Sequence, residues 1–117
     1  MIESEALAVG EEIAAAGATA PRITLQAMRD EIAGMNWFNL GDAACRLGQP
    51  DSEGMHRITL CALTLKNGYV LVGESASASL ENYDAEKGRQ FAYEDAMSKL
   101  GGLMAFRLRD QLTATAS

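Results

Sequence analysis

Basic side chains are scarce in this 117-residue chain. Ten Lys and Arg stand against sixteen Asp and Glu, a net charge of −6. Affinity for phosphate backbones and anionic lipid comes mainly from Lys and Arg, so the deficit argues against non-specific binding to nucleic acid or to a membrane surface. No apolar run approaches the ~20 residues that a membrane span needs. There are two cysteines, Cys45 and Cys61, and no CxxC pair. That excludes a disulfide scaffold and predicts two free thiols in a reducing compartment. The first residues, Met1-Ile2-Glu3-Ser4-Glu5, are acidic where a secretory leader is basic. The single histidine, His56, has no His, Cys or acidic partner at metal-site spacing and reads as a surface or packing residue. Walker A, GxGxxG, HExxH and GxSxG are all absent, so neither a cofactor nor a metal is expected. What the chain does have is 48% hydrophobic and 22% charged residues, the usage of an ordinary globular domain.

The negative charge is not spread evenly. Residues 1–54 hold nine carboxylates against three arginines, whereas residues 55–117 hold seven acids and seven bases. The acidic half reads as a solvated surface. A local cationic patch is compatible only with the neutral half.

Two helices are predicted before any strand. Ile2, Ala6, Val9, Ile13 and Ala16 recur at spacings of 4, 3, 4 and 3. Residues 1–20 are therefore set apart as an N-terminal helix, either folded on its own domain or meeting a partner subunit. Residues 21–117 form a single α+β domain. Thr24 is placed to cap the second helix, with Ile23 and Met28 as its hydrophobic staple. Leu25, Met28, Ile32 and Met35 form its buried stripe, and Gly34 is the expected stop. Trp37-Phe38 reads as a core anchor, and residues 48–54 as an exposed loop.

The central element is a hairpin. Residues 55–65 and 69–74 are apolar and β-branched runs around Asn67-Gly68, the preferred two-residue type I′ turn. That turn pairs Lys66 with Tyr69 and puts Cys61, Leu63 and Leu65 on one face with Val70, Val72 and Glu74. Glu74 then lies on the core face, and Gly73 leaves the other face bare. A two-stranded hairpin is marginal alone and its edges need cover. Residues 36–47 as a third strand, or a second subunit, would supply it, and a homo-oligomer is expected. Asn82 is read as the cap of a long final helix packed on the sheet. Its small residues Ala85, Gly88, Ala92 and Ala96 line one side, and Gly101-Gly102 is expected to interrupt it.

One stretch has the makings of a ligand site. Glu74, Ser75, Ser77 and Ser79 lead toward the helix start at Asn82, with Lys87 and Arg89 one to two turns in and Arg57 within reach of the sheet. Hydroxyls converging on a helix N-terminus are the generic means of holding an anion. The same serines could simply satisfy backbone groups in a turn. Glu74 on an apolar face would also suit a general acid or base, but no nucleophile, metal site or second acid accompanies it.

The run Thr59-Leu60-Cys61-Ala62-Leu63-Thr64-Leu65-Lys66-Asn67-Gly68-Tyr69-Val70-Leu71-Val72-Gly73-Glu74-Ser75-Ala76 follows a CxLxLxNGxxVxGES pattern, with Leu71 at its Val position. With Glu81-Asn82-Tyr83-Asp84, Gly88-Arg89 and Ala92-Tyr93-Glu94-Asp95-Ala96, it closely resembles a family of small tailed-phage proteins first grouped from phages N4 and Sf6. Leu100-Gly101-Gly102-Leu103-Met104-Ala105-Phe106 stands where family members carry a Trp-Pro-Leu-Glu-Gly-Tyr-like segment. The resemblance implies a phage accessory protein in the cytoplasm of the bacterial host, with no assigned catalytic residues. Two functions follow as expectations. One is a non-enzymatic binder that inhibits a host protein or sequesters an anionic small molecule such as a cyclic nucleotide. The alternative is a small enzyme using Glu74.

Overall fold

The computed structural model describes residues 21–116. The element order is α1 (Leu25–Glu31), β1 (Ile32–Asn39), α2 (Leu40–Arg46), α3 (Glu53–His56), β2 (Ile58–Leu65), β3 (Val70–Ala76) and α4 (Ala85–Ala116). The strands form one antiparallel sheet in the order β1-β2-β3. The fold is α+β, with α4 packed along one sheet face. The helix expected within residues 2–16 lies outside the described residues.

Thr24 caps α1 as expected, its Oγ1 accepting from the Ala27 N–H at 3.0 Å. The helix is shorter than its apolar stripe implied, ending at Glu31 with β1 beginning at once. The reason is a register irregularity between Ile32 and Gly34, where Ile32 pairs with Leu65 and Gly34 with Thr64. The extra residue resets the alternation, so Ile32 and Met35 both pack against the core from a strand. A spacing of three, the mark of a helix, is produced here by a bulge. The third strand is real, but it covers Ile32–Asn39, and residues 40–46 are helical.

The hairpin exists in a register one residue away from the expected one. Leu63 faces Leu71, Cys61 faces Gly73 and Leu60 faces Glu74. The Leu65 N–H donates to the Tyr69 carbonyl at 2.8 Å, so the loop is Lys66-Asn67-Gly68. Gly68 alone has a positive φ, 89°, which a three-residue loop requires at its last position. A one-residue slip moves every side chain of β3 to the other face. Glu74 is therefore exposed, and Gly73 is buried beneath α4. The idea of Glu74 as a buried acid loses its premise.

Cys61, Leu63, Leu65, Leu71, Tyr93, Ala96, Met97, Leu100 and Met104 lie within the core. Gly88, Ala92 and Ala96 of the small-residue stripe seat α4 there, whereas Ala85 is exposed. A Cβ on Gly73 would reach 2.2 Å from the Ala92 carbonyl oxygen and 2.3 Å from the Ala96 nitrogen. Trp37 reinforces the seat by donating from Nε1 to the Arg89 carbonyl at 3.0 Å. Two further corrections concern α4. Its first-turn amides at Glu86 and Lys87 donate to Asp84 Oδ1, so Asp84 caps it and Asn82 lies outside. It also runs unbroken through Gly101-Gly102. Each glycine costs about 1 kcal/mol in a helix, and burial of Leu100 and Met104 on either side offsets this.

Candidate functional site

The end of the sheet nearest the start of α4 encloses a pocket of about 130 Å³. Arg57, Thr59, Ser75, Ser77, Asn82, Tyr83, Asp84, Lys87 and Phe91 are among its lining residues. Sheet alternation explains part of this gathering. Thr59 and Ser75 are paired neighbours on the α4 side. Arg57 precedes β2 and reaches across the strand end. Its Nη1 donates to the carbonyls of Ser77 and Ala78 at 3.2 and 3.0 Å. That clamps the connection between β3 and α4 against the sheet. Its buried Nε has no hydrogen-bond partner among the described residues and lies 3.7 Å from the Glu53 carboxylate. The Lys87 ammonium has no ion pair among the described residues. Phe91 is 54% exposed beside this pocket.

Of the residues singled out in the sequence, Ser75, Ser77, Asn82 and Lys87 line the pocket. Ser79 braces it from behind. Its carbonyl accepts from Ser77 Oγ at 2.8 Å and its Oγ from the Asn82 N–H at 3.3 Å. Glu74 is on the opposite sheet face, with its N–H bonded to Asp95. Arg89 lines a separate groove with Trp37, Phe38 and Asp42. The helix N-terminus expected to receive the anion already gives amides to Asp84.

A second constellation lies nearby. Cys45 from the end of α2, Asp51 from the following loop and His56 from the end of α3 converge. His56 Nε2 lies 2.6 Å from Asp51 Oδ2, and Cys45 Sγ donates to the same oxygen at 3.3 Å. On the other side of the ring, Nδ1 is 3.4 Å from Asp42 Oδ1. The ring fills the space above Gly41, where a Cβ would stand 2.4 Å from it. Asn39 ties this corner to the first pocket. Its Oδ1 caps α2, and its Nδ2 donates to the His56 carbonyl at 2.9 Å and to the Tyr83 hydroxyl at 3.2 Å. The hydrogen bond with Asp51 raises the His56 pKa above its ordinary value. The same bond, with Cys45 adding, lowers that of Asp51. Cys45 is raised, chiefly by donating to Asp51, which keeps it a thiol. Cys61 is different in kind, its thiol pushed up to about 11 by burial alone.

Sequence reasoning passed over this cluster because its spacings, six and five residues, match no metal motif. The available signal was the glycine-rich loop after Cys45, which folds back and returns Asp51 and His56 to α2.

A family model described as Phage protein (N4 Gp49/phage Sf6 gene 66) family matches residues 23–112. The chain belongs to this phage family. The match spans the sheet, both constellations and most of α4. No curated protein and no solved structure matches this phage protein. None of its described helices is long and apolar enough to cross a membrane.

Proposed function

We propose that this phage protein is an accessory protein that acts by binding, without catalysis, and that its ligand presents a phosphate or similar anion to the pocket at the start of α4. The observation that carries this reading is the convergence of Arg57, Lys87 and the exposed Phe91 on one small pocket. A pocket of about 130 Å³ takes a phosphate group. It does not take a whole nucleotide, since drug-sized ligands occupy about 300–1,000 Å³. The remainder of a cyclic nucleotide would lie outside, where Phe91 offers a face for base stacking. Because Asp84 occupies the helix amides and Ser77 Oγ donates to the Ser79 carbonyl, affinity must come from charge-assisted bonds to Arg57 and Lys87 and from the Ser75 hydroxyl. The target is then a signal or factor inside the infected bacterium.

Calorimetric titration with a panel of cyclic di- and trinucleotides, beside inorganic phosphate, tests this. The expected result is heat with at least one nucleotide, lost in Lys87→Glu and reduced in Ser75→Ala. Absence of heat with every member overturns the small-anion reading and leaves a host protein as the ligand.

Assembly belongs to the same proposal. The sheet face away from α4 carries three cross-strand rows: Phe38, Leu60 and Glu74; Asn36, Ala62 and Val72; Gly34, Thr64 and Val70. Among these nine residues Glu74 is the sole charge, and Phe38, Val70 and Val72 are about half exposed. On a chain with net charge −6, a patch so poor in like charge is where a second copy can approach without repulsion.

A further inference from the structure

Cys45, Asp51 and His56 offer a thiol sulfur, a carboxylate oxygen and an imidazole nitrogen that all lie within 4.8 Å of one another. A tetrahedral zinc ion, with Zn–S about 2.3 Å and Zn–N and Zn–O about 2.0–2.2 Å, spaces such ligand atoms roughly 3.3–3.6 Å apart. Here Sγ–Oδ2 is 3.3 Å, Sγ–Nε2 is 4.0 Å and Nε2–Oδ2 is 2.6 Å. The last must widen by about 0.7 Å and the second close by about 0.4 Å, small adjustments at a carboxylate on an exposed loop. We propose that Cys45, Asp51 and His56 form a binding site for a divalent transition metal ion of the zinc type, with His56 ligating through Nε2.

Three features beyond the ligands favour this. Asp42 stands on the Nδ1 side of the ring, the position of a carboxylate that orients a ligating histidine and leaves Nε2 for the metal. Gly41 supplies the only kind of surface on which the ring can sit so close to α2. The mixed sulfur, nitrogen and oxygen set suits zinc and its neighbours and is unlike the all-oxygen sets of calcium or magnesium.

A nucleophilic cysteine is the rival use of the same atoms, and the geometry opposes it. Sγ points its proton at Asp51, at 3.3 Å, and stands 4.0 Å from the imidazole that would have to serve as base. On metal binding the thiol releases its proton to solvent and His56 ligates in its neutral form. Three protein ligands leave a fourth tetrahedral position facing solvent, open to water or to a further ligand.

The test uses the full chain, stripped with chelator and titrated first with cobalt(II). Absorbance reports a tetrahedral site and thiolate coordination separately. Zinc is then titrated against a chromophoric chelator. The expected result is a single equivalent of cobalt with a thiolate charge-transfer band. That band should vanish in Cys45→Ser, with zinc affinity weakened at least about tenfold there and in Asp51→Asn. Asp42→Asn should weaken zinc without removing the band. The proposal is overturned by failure of the wild type to bind either ion in the micromolar range, by a band that survives Cys45→Ser, or by zinc affinity unchanged in both ligand variants. Circular dichroism of each variant separates loss of ligand from loss of fold.

Discussion

A methyl group placed on Gly73 would stand 2.2 Å from the carbonyl oxygen of Ala92. The strand and the long helix therefore meet backbone to backbone at this point, and the domain's two layers are spaced by the absence of a side chain. Gly73→Ala must push α4 outward along its whole buried length. Overpacking of this kind costs about 1–3 kcal/mol or more. The melting temperature should fall by at least about 4 °C, since 1 kcal/mol shifts a domain of this size by about 4–8 °C. An unchanged melting curve would remove the close approach of β3 to α4.

The hairpin loop makes a sharper distinction. Within the loop only Gly68 has positive φ, so Gly68→Ala should cost about 1–2 kcal/mol. Asn67→Ala loses the Oδ1 contact to the Tyr69 N–H and little else. A type I′ turn would penalise both positions. Equal losses in chemical denaturation would restore the two-residue turn and put Glu74 back on the core face.

The two thiols should differ in reactivity. Cys45 is exposed, whereas Cys61 is buried, with its pKa raised to about 11 by burial. A thiol reagent at pH 8 should modify one cysteine per folded chain, and the second only after denaturation. Protection of Cys45 by added zinc is expected in addition. Two equivalents reacting in the folded state would contradict the burial of β2.

The outer strand β3 is sealed by the helix beside it. Asp95 Oδ2 accepts from the Glu74 N–H at 2.9 Å, and Lys99 Nζ donates to the Val72 carbonyl at 2.7 Å. These are the outward-facing backbone groups of an edge strand, which otherwise invite pairing with another chain. The double variant Asp95→Ala, Lys99→Ala should lose about 1–3 kcal/mol and associate more readily with rising concentration. Association unchanged in sedimentation would show that the edge needs no seal.

Self-association of the wild type is predicted through the sheet face and not through that edge. Light scattering at micromolar concentration should give at least a dimer mass, and Phe38→Asp with Val72→Asp should reduce it to the monomer at unaltered circular dichroism. A wild-type monomer refutes the proposal.

Much of this architecture was legible because local chemistry specifies it. Thr24 caps its helix because a hydroxyl there meets an orphan amide. The small stripe Gly88, Ala92, Ala96 is buried because nothing larger fits against a strand. The apolar residues of the hairpin and the phage pattern follow from residue order alone. The legible part of the pocket, Ser75, Ser77, Asn82 and Lys87, is a connection between consecutive elements, so chain order already places those residues together. What tertiary structure decided are quantities that local periodicity does not carry. A bulge after Ile32 mimics helical spacing, so only pairing with β2 reveals a strand. One residue of register, set by whether Asn67 joins Gly68 at positive φ, moves Glu74 from core to solvent. The Cys45, Asp51 and His56 cluster arises where a loop returns two residues to a helix already left behind. Its chemistry comes from distances of a few ångströms in space, which spacing along a chain does not encode.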